Sequence, residues 1–185
     1  MRKIMKTEGA VRRMGYGSCL LLLLVLFSCT SIDETLPECR LYVRFRYDYN
    51  MEFADAFHAQ VDKVELYVFD KNGKYLFKQA EEGSALSTGN YLMEVELPVG
   101  QYQFMAWAGA RDSYDITSLT PGVSTLTDLK LKLKREASLI INKRMETLWY
   151  GEVINVNFDG TVHQTETMSL LCRRKKWSGS LAVFL

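Results

Sequence analysis

Two histidines, three prolines and four cysteines are all that the 185 residues hold of those types. Each scarcity closes off a class of function. Neither His58 nor His163 stands in an HExxH arrangement or beside a Cys/His cluster, so the ligand spacing of a zinc enzyme is missing. No G-x-S-x-G elbow and no Gly-rich G-x-x-x-x-G-K-[ST] loop occurs, which removes the usual signatures of a serine hydrolase and of an NTPase. Long apolar runs are lacking as well. The strongest, residues 20–27, falls far short of the roughly 20 apolar residues that a spanning helix requires. Excess charge is also absent: the formal net charge is +1, and residues 1–28 supply five Lys/Arg against the single acid Glu8. Without that segment 18 basic residues face 21 acidic ones, a balance of −3. Such a chain has no basic stripe with which to displace counterions from phosphate, and nucleic acid is excluded as a partner. The expectation is a protein that is not an enzyme, with no catalytic residue, cofactor, metal or small-molecule substrate.

The first thirty residues have a clear order. Basic residues (Arg2, Lys3, Lys6, Arg12, Arg13) precede the apolar run, and the small residue Ser28 precedes Cys29. This is the tripartite pattern of a secretory signal. Leu26-Phe27-Ser28-Cys29 matches a bacterial lipobox, in which the Cys thiol is acylated and the chain is cut on its N-terminal side. Cys29 is therefore the expected lipidation site, and several acyl chains together give stable anchorage where one holds only marginally. Residues 1–28 read as signal peptide and 29–38 as a polar tether ending in Leu36-Pro37-Glu38. Asp33 and Glu34 resemble an acidic tag for export to the outer face of the outer membrane. Cys39 and Cys172 are the two cysteines left over, and they are expected not to pair.

From residue 39 the chain alternates with the period of strands. Leu41, Val43, Phe45, Tyr47 and Tyr49 point one way and Arg40, Tyr42, Arg44, Arg46 and Asp48 the other. Residues 50–60 lose that period, and Phe53 and Phe57 at helical spacing suggest a short helical crossover. A strand over 61–69 meets Asp70-Lys71-Asn72-Gly73-Lys74, a hairpin signal because Asn and Gly both tolerate positive φ, and returns over 75–78. Further strands are expected over 91–97 and, after Pro98-Val99-Gly100, over 101–108. Residues 109–128 read as a polar cross-sheet connection with a turn at Pro121-Gly122. Residues 129–134 alternate Leu and Lys as a strand with one solvated face, and 148–157 supply another strand or pair around Gly151. Short strands separated by frequent turn signals indicate an all-β, antiparallel sandwich over residues 39–169.

Several residues carry two readings. Asp48, Asn50, Glu52, Asp55 and Asp62 cluster as calcium ligands do, but without EF-hand spacing, and solvated loop is the plainer reading. The aromatics Tyr42, Tyr67, Phe69, Tyr75, Phe77, Tyr91, Tyr102, Phe104 and Trp107 are expected to fill the core rather than form a carbohydrate platform. Arg40, Arg44 and Arg46 read as a solvated strand face, and His58 and His163 as surface or loop histidines.

Several segments together resemble the FimB-like family of fimbrial anchor and tip lipoproteins of type V fimbriae. They are Leu36-Pro37-Glu38-Cys39, Arg44-Phe45-Arg46-Tyr47-Asp48-Tyr49-Asn50-Met51, Asp62-Lys63-Val64-Glu65-Leu66-Tyr67-Val68-Phe69-Asp70, Leu97-Pro98-Val99-Gly100-Gln101-Tyr102-Gln103-Phe104-Met105-Ala106-Trp107 and Trp149-Tyr150-Gly151. The resemblance covers about residues 20–169. It implies a transthyretin-like Greek-key β-sandwich, a lipid-anchored protein of the outer membrane, exposed at the cell surface as part of a fimbrium, and a role in fimbrial assembly and cell adhesion. The implied partner is a fimbrial shaft subunit held by β-strand addition, the membrane being reached through the N-terminal lipid. The alternative is a surface lipoprotein that binds a glycan or host protein through its loops. Family members continue through a second β-domain. Residues 170–185 show neither strand alternation nor resemblance, and suggest a frameshift or premature stop near residue 170 that would leave the first domain without its closing strand.

Overall fold

The computed structural model describes residues 39–134 and 145–172. The expected signal peptide, the lipid site Cys29 and most of the anomalous tail lie outside the described residues. Those described belong to one compact unit that begins at Cys39.

Nine strands form: β1 Leu41–Arg46, β2 Lys63–Asp70, β3 Tyr75–Glu82, β4 Met93–Val95, β5 Gly100–Ala108, β6 Tyr114–Ile116, β7 Leu131–Leu133, β8 Trp149–Phe158 and β9 Gln164–Cys172. One helical turn, α1, covers Phe57–Gln60. Seven strands follow the order β3-β2-β5-β8-β9-β1-β4, while β6 and β7 pair separately. The seven-stranded sheet curls until its two ends face each other. Leu41, Val43 and Phe45 of β1 share one buried cluster with Val64, Leu66 and Val68 of β2 and with Phe104 and Ala106 of β5. The result is a β-sandwich, as expected. All its ladders are antiparallel except one, because β1 and β9 run parallel from Leu41 opposite Gln164 to Arg46 opposite Ser169. Parallel neighbours need a long connection, and here nearly the whole domain lies between them.

A second apolar layer covers the outside of one leaf. Tyr67, Phe69, Tyr75 and Trp107 point away from the sandwich interior and pack with Leu129, Leu131 and Leu148. The connection after β5, with its β6–β7 ribbon, is thus a cover rather than a plain crossover. It explains why six consecutive residues of β2 are buried, since that strand has apolar material on both faces. Glu65 lies among them, satisfied by Lys78 at 3.1 Å and Lys63 at 3.5 Å.

Three local expectations need correction. In the β2–β3 hairpin only Gly73 takes a positive φ, +75°. The Asp70 carboxylate accepts hydrogen bonds from the Asn72 and Lys74 N–H groups, so a type I turn followed by a left-handed Gly replaces the two-residue turn. The helical crossover shrinks to α1, with Phe57 buried and Phe53 left 88% exposed. Asn50 draws that loop into turns instead, its amide donating to the carbonyls of Tyr47 and Ala54.

The third concerns the end of the domain. Strand β9 runs to Cys172, so Leu170 belongs to the fold, fully buried, and is not the start of an anomalous tail. The strand also closes the sandwich between β8 and β1, where a missing closing strand was expected. Residues 173–185 lie outside the described residues.

Closure of the curled sheet rests on a short seam. Among the described residues, strands β8 and β9 pair as Trp149 with Cys172, Tyr150 with Leu171 and Gly151 with Leu170. A bulge in β8 sets Gly151 opposite Ala106 and Ile154 opposite Phe104, leaving two residues against Met105. The bulge bends β8, so its later part follows β5 in one leaf while residues 164–169 of β9 follow β1 in the other. A Cβ at Gly151 would collide with the Met168 thioether and lie 3.4 Å from Leu170 Cδ2. Met168 is wholly buried and has nowhere to retreat. Gly151→Val is therefore expected to lower unfolding free energy by about 1–3 kcal/mol, whereas Gly89→Ala, which meets nothing within 4 Å, stays within about 0.5 kcal/mol. Denaturant titration of both variants measures the difference.

Candidate functional site: strand edges and the residues around them

In a sandwich the surfaces most ready to take a partner are unpaired strand edges. Strand β4, at one end of the sheet, has only three residues. At the other end, β3 is bridged at its start to the 122–125 segment, the Tyr75 N–H donating to Ser124 O at 2.8 Å and the Gly122 N–H to Tyr75 O at 2.8 Å. Its remainder is blunted by Lys78, Glu81 and Glu82. Neither end offers a long, clean template.

The fork between β8 and β9 does. Past the seam, residues 152–158 of β8 pair with β5 on one side only, and residues 164–169 of β9 pair with β1 on one side only. Backbone direction in β9 follows from Gln164, whose N–H donates to Arg40 O at 2.9 Å. Peptide groups alternate along a strand, so Gln164, Glu166 and Met168 turn to β1 while Thr165 and Thr167 turn into the fork. At the end where residues 159–163 link the two arms, the fork is spanned by one side chain, the Gln164 amide donating to Asn157 O at 3.1 Å. Val153, 43% exposed, stands on the β8 arm.

The residues singled out from sequence fall into separate places. Arg40 pairs with Glu94 at 2.9 Å and Arg46 with Asp48 at 3.3 Å, so two of the three strand arginines are engaged. His163 accepts a hydrogen bond from the Arg40 N–H through Nδ1 and leans on Tyr42. His58 sits on α1 beside Arg44, in a depression formed where β4 ends. The acidic cluster is spent on bracing the chain: Asp55 Oδ1 accepts from the Tyr47 and Phe57 N–H groups, and Asp62 pairs with Arg111 at 3.0 Å. Among the described residues no three His, Cys, Asp or Glu side chains gather as metal ligands would. Cys39 and Cys172 are not joined by a disulfide.

The aromatics are mostly core, as expected. Tyr67, Phe69, Tyr75, Tyr102, Phe104 and Trp107 are all buried. Burial raises the pKa of the Tyr67 phenol well above its ordinary value, and the adjacent Glu65 carboxylate, which accepts a hydrogen bond from its hydroxyl at 3.3 Å, adds to this. Tyr91 is pushed up to about 12, first by burial and then by Glu81. Both hydroxyls are hydrogen-bond donors over the whole physiological range. What sequence reading missed was β9 and with it the fork, although Thr165, Glu166, Thr167, Met168, Ser169 and Leu170 do alternate.

The same architecture recurs in known proteins. A solved protein of Bacteroides thetaiotaomicron VPI-5482, provisionally described as polysaccharide binding, is 95% identical, with a TM-score of 0.71 over 73% of this chain and 48% of its own. A Bacteroides ovatus protein provisionally described as an adhesin is 34% identical, with a TM-score of 0.67 over 78% of this chain and 49% of its own. The minor fimbrium anchoring subunit Mfa2 of Porphyromonas gingivalis is 28% identical over 130 residues, 68% of this chain and 40% of that protein. The chain thus spans half or less of the length of each of these relatives. Residues 36–173, well over half of the sequence, match the family described as fimbrillin-A associated anchor proteins Mfa1 and Mfa2, and the chain belongs to that family.

Proposed function

We propose that this chain is a structural, non-catalytic component of a fimbrium: an anchor or minor subunit held in the outer membrane by a lipid on Cys29, and joined to a shaft subunit by a donated β-strand. Membership of the anchor family supports the role. The single observation that carries the joining mechanism is the fork, two long strand arms with one open edge each in a sheet whose terminal edges are short or blunted. An extended segment laid against either arm gains main-chain hydrogen bonds, and its alternate side chains gain contact with the fork walls. The lipid supplies the fixed point. Nine residues, 30–38, lie between Cys29 and Cys39, and the chain from one cysteine to the other reaches at most about 35 Å when extended.

Two experiments test the halves of this proposal separately. With a photo-crosslinking residue at Val153, illumination of fimbriated cells is expected to capture a shaft subunit, while the same residue at Lys78, on the blunted β3 edge, captures none. Equal capture at both positions, or none at either, contradicts fork-based joining. Cys29→Ala is expected to abolish lipid labelling and release the protein from the membrane fraction. Retention in the membrane with unchanged labelling contradicts the lipid assignment and leaves the joining mechanism untouched.

A further inference from the structure

The depression beside Arg44 is built differently from the rest of the surface. It has a volume of about 270 Å³ and lies where β4 stops short, between the far half of β1, helix α1 and the loop over residues 83–92. That is close to the lower limit for small-molecule sites, about 300 Å³, and suits one ring-sized group. Arg44, His58, Thr88, Tyr91 and Thr167 supply its polar lining, with Phe57 among the apolar groups.

Backbone direction adds two more hydrogen-bonding groups. The Arg40 N–H donates to His163 Nδ1 and the Arg40 carbonyl accepts from the Gln164 N–H, so the even-numbered peptide groups of β1 face β9. The odd-numbered ones face the other way. Tyr47 confirms the alternation, its N–H donating to Asp55 Oδ1 and its carbonyl accepting from the Ala56 N–H. Strand β4 covers Leu41 to Val43 only. The Phe45 peptide is therefore turned into the depression with no strand beside it among the described residues.

Charge narrows the occupant. Arg46 is paired with Asp48 at 3.3 Å, and Asp55 stands in the wall with one oxygen held by two peptide N–H groups. Of the two arginines that line the depression, Arg44 is the one with no ion pair among the described residues, although it is exposed. One uncompensated guanidinium matches one carboxylate. With Asp55 alongside, there is no second free positive charge for a phosphate dianion. Threonine hydroxyls and a peptide N–H and C=O suit a ligand rich in hydroxyl groups, and the half-buried Tyr91 ring borders the depression as an apolar surface for the C–H side of a sugar.

We propose that this depression is a binding site for a carboxylated sugar, a uronic-acid residue of a glycan, with Arg44 holding the carboxylate and Thr88, Thr167 and the Phe45 peptide meeting the hydroxyls. The site does not rest on the lipid or on strand joining, although Thr167, whose peptide borders the fork, also lines it. The full chain is titrated with D-glucuronate, D-glucose, glucose 6-phosphate and a short Glu-rich peptide, with dissociation constants taken from NMR shifts of the Arg44 and Thr167 amides. Glucuronate is expected to bind at least about tenfold more tightly than the other three. Arg44→Gln is expected to weaken it by about tenfold or more, Thr167→Val to weaken it to a smaller extent, and Arg40→Gln, on the same strand but paired with Glu94 outside the site, to leave it unchanged. Because Arg44 is exposed and unpaired, its variant keeps the wild-type unfolding midpoint, which is checked in the same samples. Equal affinity for glucose, tighter binding of the phosphate or the peptide, no shift at the two amides, or full binding by Arg44→Gln each overturns the proposal.

Discussion

The architecture depends on three residue pairs. Without the contact of Trp149, Tyr150 and Gly151 with Cys172, Leu171 and Leu170, the sheet would part into two, β3-β2-β5-β8 and β9-β1-β4, with no ladder between them among the described residues. With it, β1 and β4 swing over β2 and β5, and a single cluster forms between the leaves. The seam is narrow because Gly151 is the position where β9 side chains can cross against β8 backbone, and Met168 and Leu170 fill the space a side chain would need. Beyond it the β8 bulge commits the two arms to different leaves, so the fork is a geometric consequence of closing the sheet at one end.

Closure in this manner leaves a specific division of surfaces. The outside of the β3-β2-β5 leaf is covered by the chain's own 109–134 segment, with Trp107, Tyr67 and Phe69 packed under Leu129 and Leu131. The terminal edges are short or charged. Open backbone therefore remains in the fork and, for one peptide, beside Arg44. Few and recessed accessible edges guard a sandwich against random strand pairing. The depression near Arg44 arises from the same economy of strands, since β4 stops after three residues while β1 continues for six.

Much of this was legible in the sequence. Alternation located β1, and the turn signals at Asn72-Gly73 and Pro98-Val99-Gly100 helped to place β2, β3 and β5. Lys132, between buried Leu131 and half-buried Leu133, was rightly a solvated position, but its ribbon pairs with Tyr114 to Ile116, a partner too short and polar to stand out from the connection. Strand β9 escaped notice for a related reason. Its outward positions are Thr and Ser, its inward ones begin with Gln and Glu, and Met168 and Leu170 come only at the end. Hydrophobic period fails there because the first half of β9 borders the fork and buries little. Phe53 and Phe57 misled in the opposite direction: their helical spacing is real, but Asn50 and Asp55 capture the local backbone first and Phe53 is turned to solvent with a φ of 51°.

Residue-resolved native-state hydrogen exchange tests the central claim that the sandwich is sealed at one end and forked beyond it. The account predicts an alternation within one strand: slow exchange at Gln164, Glu166 and Met168, whose amides turn to β1, fast exchange at Thr165 and Thr167, whose amides turn into the fork, and slow exchange again at Leu171 within the seam. Uniform protection along residues 164–172 would mean that β8 and β9 pair throughout, and would contradict the fork.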